Sequence, residues 1–98
     1  KVAGTKTWID NLNQDGMRPD SITVNLLADG EVVESIEVTE ADNWAYEFTN
    51  LDKYSNGVEI EYTVTEDKVA EYTTTIEGYN ITNTHEIEKV DRSETKRG

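Results

Sequence analysis

Apolar and polar residues alternate in short segments along this chain, and clusters of turn-forming residues separate the segments. That is the pattern of half-buried strands, whose successive side chains point to opposite faces. No segment has helical periodicity. The alternation predicts strands over 2–8, 22–28, 31–38, 44–49, 58–66, 72–76 and 79–85. Seven short strands without a helix predict an all-β, two-sheet sandwich. Asp29-Gly30, between two apolar-rich runs, suits a tight hairpin that demands positive φ. Ala41-Asp42-Asn43 and Glu77-Gly78 read as further turns, and 50–57 as a polar loop with Asn56-Gly57 at its tightest corner.

Length limits the chain to one core, since 98 residues are too few for two. We place the domain at 1–85. The remaining residues, 86–98, hold eight charges and only Ile87 and Val90 as apolar members, so they read as a linker or tail. Within them Lys89-Val90 before Ser93-Glu94-Thr95-Lys96 echoes Lys1-Val2 before Gly4-Thr5-Lys6-Thr7. The echo is either the start of a next repeat or a chance match in a charged segment.

A net charge of -12 repels phosphate backbones and anionic lipid, so neither nucleic acid nor a membrane is an expected partner. With no cysteine, a disulfide framework and a thiolate metal site are both excluded. No apolar stretch reaches the length of a signal segment or a membrane span, so any export signals are expected outside this sequence.

Three polar residues fall on the inward phase of predicted strands. Val2, Gly4, Lys6 and Trp8 share one face, as do Ile60, Tyr62, Val64 and Glu66, and as do Tyr79, Ile81 and Asn83. An unpaired ammonium, carboxylate or amide inside a core costs several kcal/mol, roughly, so such groups stay buried when they satisfy one another or react. Desolvation drives an amine and a carboxyl towards their neutral forms. A neutral Lys6 could attack the Asn83 carboxamide while a protonated Glu66 polarises its carbonyl and relays a proton to departing ammonia. Alternation alone also permits the ordinary reading, with Lys6 at an edge and its head in water, Glu66 solvated at a strand end and Asn83 closing a turn.

Other constellations carry less. Asn11, Asn13, Asp15 and Gly16 imitate positions 1, 3, 5 and 6 of a calcium loop, but position twelve is Ile22 and not an acid, and Asp10 or Asp20 could contribute only from outside the pattern. We read an Asx-rich turn there, and expect no metal and no cofactor. The single histidine, His85, falls at the domain's edge, and no nucleophile elbow or paired histidines are present, so turnover of an external substrate is not expected. Tyr54, in the 50–57 loop, suits either a contact surface or packing over the sandwich end, and we favour packing.

The runs Gly4-Thr5-Lys6-Thr7-Trp8, Asn11 through Val24, Tyr62-Thr63-Val64-Thr65-Glu66-Asp67, Tyr72-Thr73-Thr74-Thr75 and Tyr79-Asn80-Ile81-Thr82-Asn83-Thr84-His85 resemble the B-type (CnaB) repeat of Gram-positive collagen adhesins. The resemblance spans nearly all of 1–85. It implies a reverse immunoglobulin-like (prealbumin-like) Greek key and an intramolecular isopeptide bond between Lys6 and Asn83, assisted by Glu66. It further implies a monomeric stalk or spacer module of an extracellular, cell-wall-anchored protein, with neighbouring repeats as partners and an adhesive target left open. A matrix- or ligand-binding module, or an engineered scaffold or peptide-ligation partner from the same family, are the alternatives. Where relatives commonly have proline and glycine, this chain has Lys68-Val69-Ala70-Glu71.

Overall fold

The computed structural model describes residues 1–86. Among the described residues nine strands form two main sheets and a short ribbon: β1 (Val2–Ile9), β2 (Ser21–Ala28), β3 (Glu31–Thr39), β4 (Ala45–Phe48), β5 (Tyr54–Ser55), β6 (Val58–Glu59), β7 (Tyr62–Glu66), β8 (Thr73–Glu77) and β9 (Asn80–Thr84). One sheet has the order β4-β1-β9-β8 and the other β3-β2-β7, while β5 and β6 pair only with each other. The alternating phase that predicted the strands also decides what lies between the sheets: Val2 from β1, Ile22, Val24 and Leu26 from β2, Val38, Tyr46, Phe48, Val64 and Ile81 are all buried.

β1 changes neighbour halfway along. Val2–Thr5 pair antiparallel with β4, and Lys6–Ile9 pair parallel with β9. The first and last strands of the domain are therefore adjacent, and their outer ends lie at opposite ends of the sheet.

Turn chemistry falls largely where the residues require it. Asp29 (φ 50°) and Gly30 (φ 86°), and likewise Asn56 (φ 52°) and Gly57 (φ 78°), make two-residue turns in the left-handed region. The β8-β9 hairpin turns at Gly78-Tyr79, one residue later than expected, because Glu77 pairs with Asn80 and leaves positive φ to Gly78 (φ 64°). The expected turn at 41–43 is a 3-10 turn, Glu40–Asp42, closed by Asn43 and Trp44, both at positive φ, so the following strand starts at Ala45.

Two expectations change. The predicted strand over 58–66 is two strands, since Ile60 donates to the Lys53 carbonyl at 2.8 Å and Glu61 donates to Asp29 Oδ1 at 3.1 Å, carrying the chain from the ribbon to the β3-β2-β7 sheet. Tyr54 is exposed instead of packed over the sandwich end, because the tight Asn56-Gly57 corner holds β5 and β6 off as a separate ribbon. Leu51, Tyr62 and Tyr79 pack against the core there instead. Of the expected tail, 86–98, residues 87–98 lie outside the described residues.

Gly4 sits where β1 passes under the β8-β9 turn. A Cβ there would meet the Tyr79 backbone carbonyl, with its carbon at 2.7 Å, and the Tyr46 hydroxyl at 2.8 Å. That hydroxyl itself donates to the Tyr79 carbonyl. Gly4→Ala must push backbone as well as side chain, and we expect it to destabilise the domain by about 2–3 kcal/mol in urea denaturation. A loss below about 0.5 kcal/mol would mean the strands separate freely there.

Candidate functional site

Register puts three polar side chains in one place. Lys6 on β1 lies opposite Ile81 of β9, and Asn83 lies opposite Trp8, so Lys6 and Asn83 project inward from adjacent strands two positions apart. Glu66, at the end of β7, reaches them from the other sheet. The side chains of Lys6 and Glu66 are 0% exposed, and Asn83 is completely buried. Lys6 Nζ donates to Glu66 Oε2, and Asn83 Nδ2 donates to Glu66 Oε1 at 2.9 Å. The carboxyl group thus has one oxygen on the amine and the other on the carboxamide.

A fourth side chain completes the cluster. Thr74, opposite Asn83 in the β8-β9 ladder, accepts from Asn83 Nδ2 at 2.9 Å and donates to Glu66 Oε1 at 2.9 Å. Its signal in the sequence was its phase: Thr74 falls on the same face of the predicted strand as the buried Tyr72, although Thr74 is itself exposed. Glu66 meets the nitrogen end of the carboxamide rather than its carbonyl; Asn83 Oδ1 is buried without a hydrogen-bond partner among the described residues.

Burial pushes the Lys6 pKa down, against the upward pull of Glu66, and the nearby Arg18 charge lowers it further. The Trp8 ring lies 3.9 Å from Lys6 Nζ and covers one side of the amine. Trp44 and Tyr72 pack edge-on against that ring at 5.1 and 5.0 Å between centroids. A dry pocket holding an amine, a carboxyl and a carboxamide in hydrogen-bonded sequence has the groups needed for proton exchange and for acyl transfer between side chains.

The residues weighed for calcium serve the loop after β1. Asn11, Leu12 and Asn13 all adopt positive φ, Asn13 Oδ1 accepts from the Arg18 backbone at 3.0 Å, and Asp15 Oδ2 lies 2.9 Å from His85 Nε2. His85 is 5% exposed rather than at an open edge, and its Nδ1 lies 2.7 Å from the Glu71 carbonyl. Among the described residues no group of three or more His, Cys, Asp or Glu is arranged to hold a metal ion.

Asp10, weighed as an outside contributor to a cation site, instead anchors this loop through Arg18, Tyr72 and the Asn13 backbone. It continues the inward phase Val2, Gly4, Lys6, Trp8 one step beyond the strand and is 3% exposed. Arg18 donates to both of its oxygens, at 3.0 and 2.6 Å, Tyr72 donates its hydroxyl at 2.7 Å and the Asn13 backbone donates at 3.0 Å. The Arg18 guanidinium holds the Asp10 carboxyl down at about 2, against the opposing effect of burial. Burial and the hydrogen bond to Asp10 push the Tyr72 phenol up to about 12.

The profile of the Cna protein B-type domain matches residues 2–84. The chain belongs to that family. A collagen adhesin of Staphylococcus aureus is 57% identical over 82 residues, which is 84% of this chain and 7% of the adhesin. The crystal structure of a single B repeat unit (B1) of the S. aureus collagen-binding surface protein superposes with a TM-score of 0.84 at 55% identity, covering 86% of this chain and 45% of that one. The pilus backbone of Streptococcus pneumoniae, at 24% identity and a TM-score of 0.60 over 85% of this chain and 19% of that one, shares the fold. This B-type domain thus spans a small part of the curated relative and about half of a single repeat unit. Its reverse immunoglobulin-like sandwich is that of the B repeat.

The Asp10 cluster sets an acid limit. A carboxyl whose folded pKa is depressed contributes stability that is fully present above its unfolded value, near 3.8, and is lost as pH falls towards about 2. Asp10→Asn should lower stability at pH 7 by about 2–3 kcal/mol, and the gap between variant and parent should close over that acid range. Urea titrations at a series of pH values read this directly, and a gap that stays constant down to pH of about 2 would exclude the ion pair as its source.

Proposed function

We propose that this B-type domain is a stalk or spacer module of a cell-wall-anchored surface adhesin, stabilised by an isopeptide bond that it forms itself between Lys6 and Asn83. The observation that supports it most is the completely buried Glu66 carboxyl, with one oxygen on the Lys6 amine and one on the Asn83 amide nitrogen. In the dry pocket one Lys6 proton passes to Glu66, leaving a neutral amine. Its lone pair attacks Asn83 Cγ and forms the new C–N bond. Glu66 takes a second Nζ proton at Oε2 and gives one to Nδ2 from Oε1. The Cγ–Nδ2 bond breaks, ammonia leaves, and the protonated Glu66 stays hydrogen-bonded to the new amide. The reaction happens once per molecule and turns over no external substrate.

Such a bridge closes a loop of nearly the whole domain, which on loop-entropy grounds adds about 4–5 kcal/mol, comparable to the entire stability of a small domain. Because β1 and β9 are parallel neighbours, tension on the two ends of the domain loads them in shear at the strand pair that the bridge spans. A module of this kind suits a chain of neighbouring repeats that holds a binding region away from the cell.

Intact mass spectrometry is the direct test. The protein should be lighter than its sequence by one ammonia molecule, and Glu66→Gln, which keeps the size of the side chain but cannot relay a proton, should have the full mass. A full-mass parent protein would remove the bond; an unchanged mass loss in Glu66→Gln would remove Glu66 from the mechanism. Single-molecule stretching of the parent should show no extension of the chain between Lys6 and Asn83.

A further inference from the structure

We propose that Thr74 is the positioning residue of this site, its hydroxyl holding the Asn83 carboxamide with the leaving nitrogen turned towards Glu66; the inference rests on the cross-linking reading above. Thr74 Oγ1, Asn83 Nδ2 and Glu66 Oε1 form a closed triangle with 2.9 Å on each side. A hydroxyl carries one donor and two acceptor lone pairs, and here it uses both functions, donating to the carboxyl and accepting from the amide.

The terminal torsion of an asparagine is broad and roughly two-fold, so the site by itself does not say which end of the carboxamide faces Glu66. Thr74 removes that freedom. With one amide hydrogen on Glu66 and the other on Thr74, both are used, and Oδ1 turns to a buried position without a partner among the described residues. An orphaned buried carbonyl oxygen is costly, and it is retained here in exchange for two bonds at the nitrogen end. The atom that must accept a proton as the Cγ–Nδ2 bond breaks is thereby the atom next to the group that supplies it. Thr74 touches the reacting amide without exchanging electrons with it, and it lies on an edge strand, itself exposed, where its loss leaves the core intact.

The test follows ammonia loss by intact mass at intervals after a short pulse of synthesis, in the parent and in Thr74→Val, Thr74→Ser and Thr74→Ala, with circular dichroism to confirm the fold. Thr74→Val keeps the shape and removes the hydroxyl; we expect cross-linking to slow by about ten-fold or more. Thr74→Ser, which restores the hydroxyl, should return to within about two-fold of the parent, and Thr74→Ala should be as slow as the valine variant. A valine or alanine variant that folds and cross-links at the parental rate would overturn the role of Thr74 alone, as would a serine variant as slow as valine. A parent that keeps its full mass would overturn the reaction itself and the role of Thr74 with it.

Discussion

One carboxyl group bridges the two sheets, and the interior is organised around it. Glu66 comes from β7, while the amine and the carboxamide it holds come from β1 and β9 of the other sheet. Each of these groups alone would make the core unfavourable by several kcal/mol, roughly, so they are tolerable only as a set. That requirement locks three strands in register, because a slip of one residue would turn Lys6, Glu66 or Asn83 outward and leave the other two unsatisfied. Gly4 makes the same demand sterically, since only a residue without Cβ lets β1 run beneath Tyr79.

A second polar cluster lies against the first. Asp10, Arg18 and Tyr72 tie the loop after β1 to the last part of the domain, and His85 and Asp15 add a contact between the same regions. Trp8 stands between the clusters, with Lys6 on its ring at 3.9 Å and Arg18 at 5.2 Å. The loop therefore does more than connect β1 to β2. It keeps the indole in place over the amine, excludes water from one side of it and brings in the Arg18 charge that helps lower the Lys6 pKa. Within the loop, Asp10 accepts from the Asn13 backbone and Asn13 from the Arg18 backbone.

The mechanical reading depends on topology as much as on chemistry. Antiparallel terminal strands could be peeled apart one hydrogen bond at a time. Parallel ones, pulled from their outer ends, are loaded together along their length, and a covalent bridge at Lys6 would take the load before the β1-β9 hydrogen bonds did. The exposed β5-β6 ribbon, with Tyr54 and Val58 turned to solvent, lies outside this path because it pairs with neither main sheet.

The inward positions of Lys6, Glu66 and Asn83, the hairpin at Asp29-Gly30, the tight corner at Asn56-Gly57 and the all-β class were legible in the residues, because alternation and turn chemistry act between near neighbours along the chain. Asp10 and His85 obeyed the same alternation one step past their strands, yet nothing local distinguishes a charged residue that finds a buried partner from one left in water. Thr74 is harder still: its face could be read, but its contact with Glu66 and Asn83 exists only because β8 pairs with β9 at one register while β7 crosses from the other sheet. The break in 58–66 likewise follows from hydrogen bonds to Asp29 and Lys53, far away or around a turn. Period-two patterning assigns each side chain a face; which side chains share that space depends on strand order, and strand order is settled by the packing of the whole chain at once.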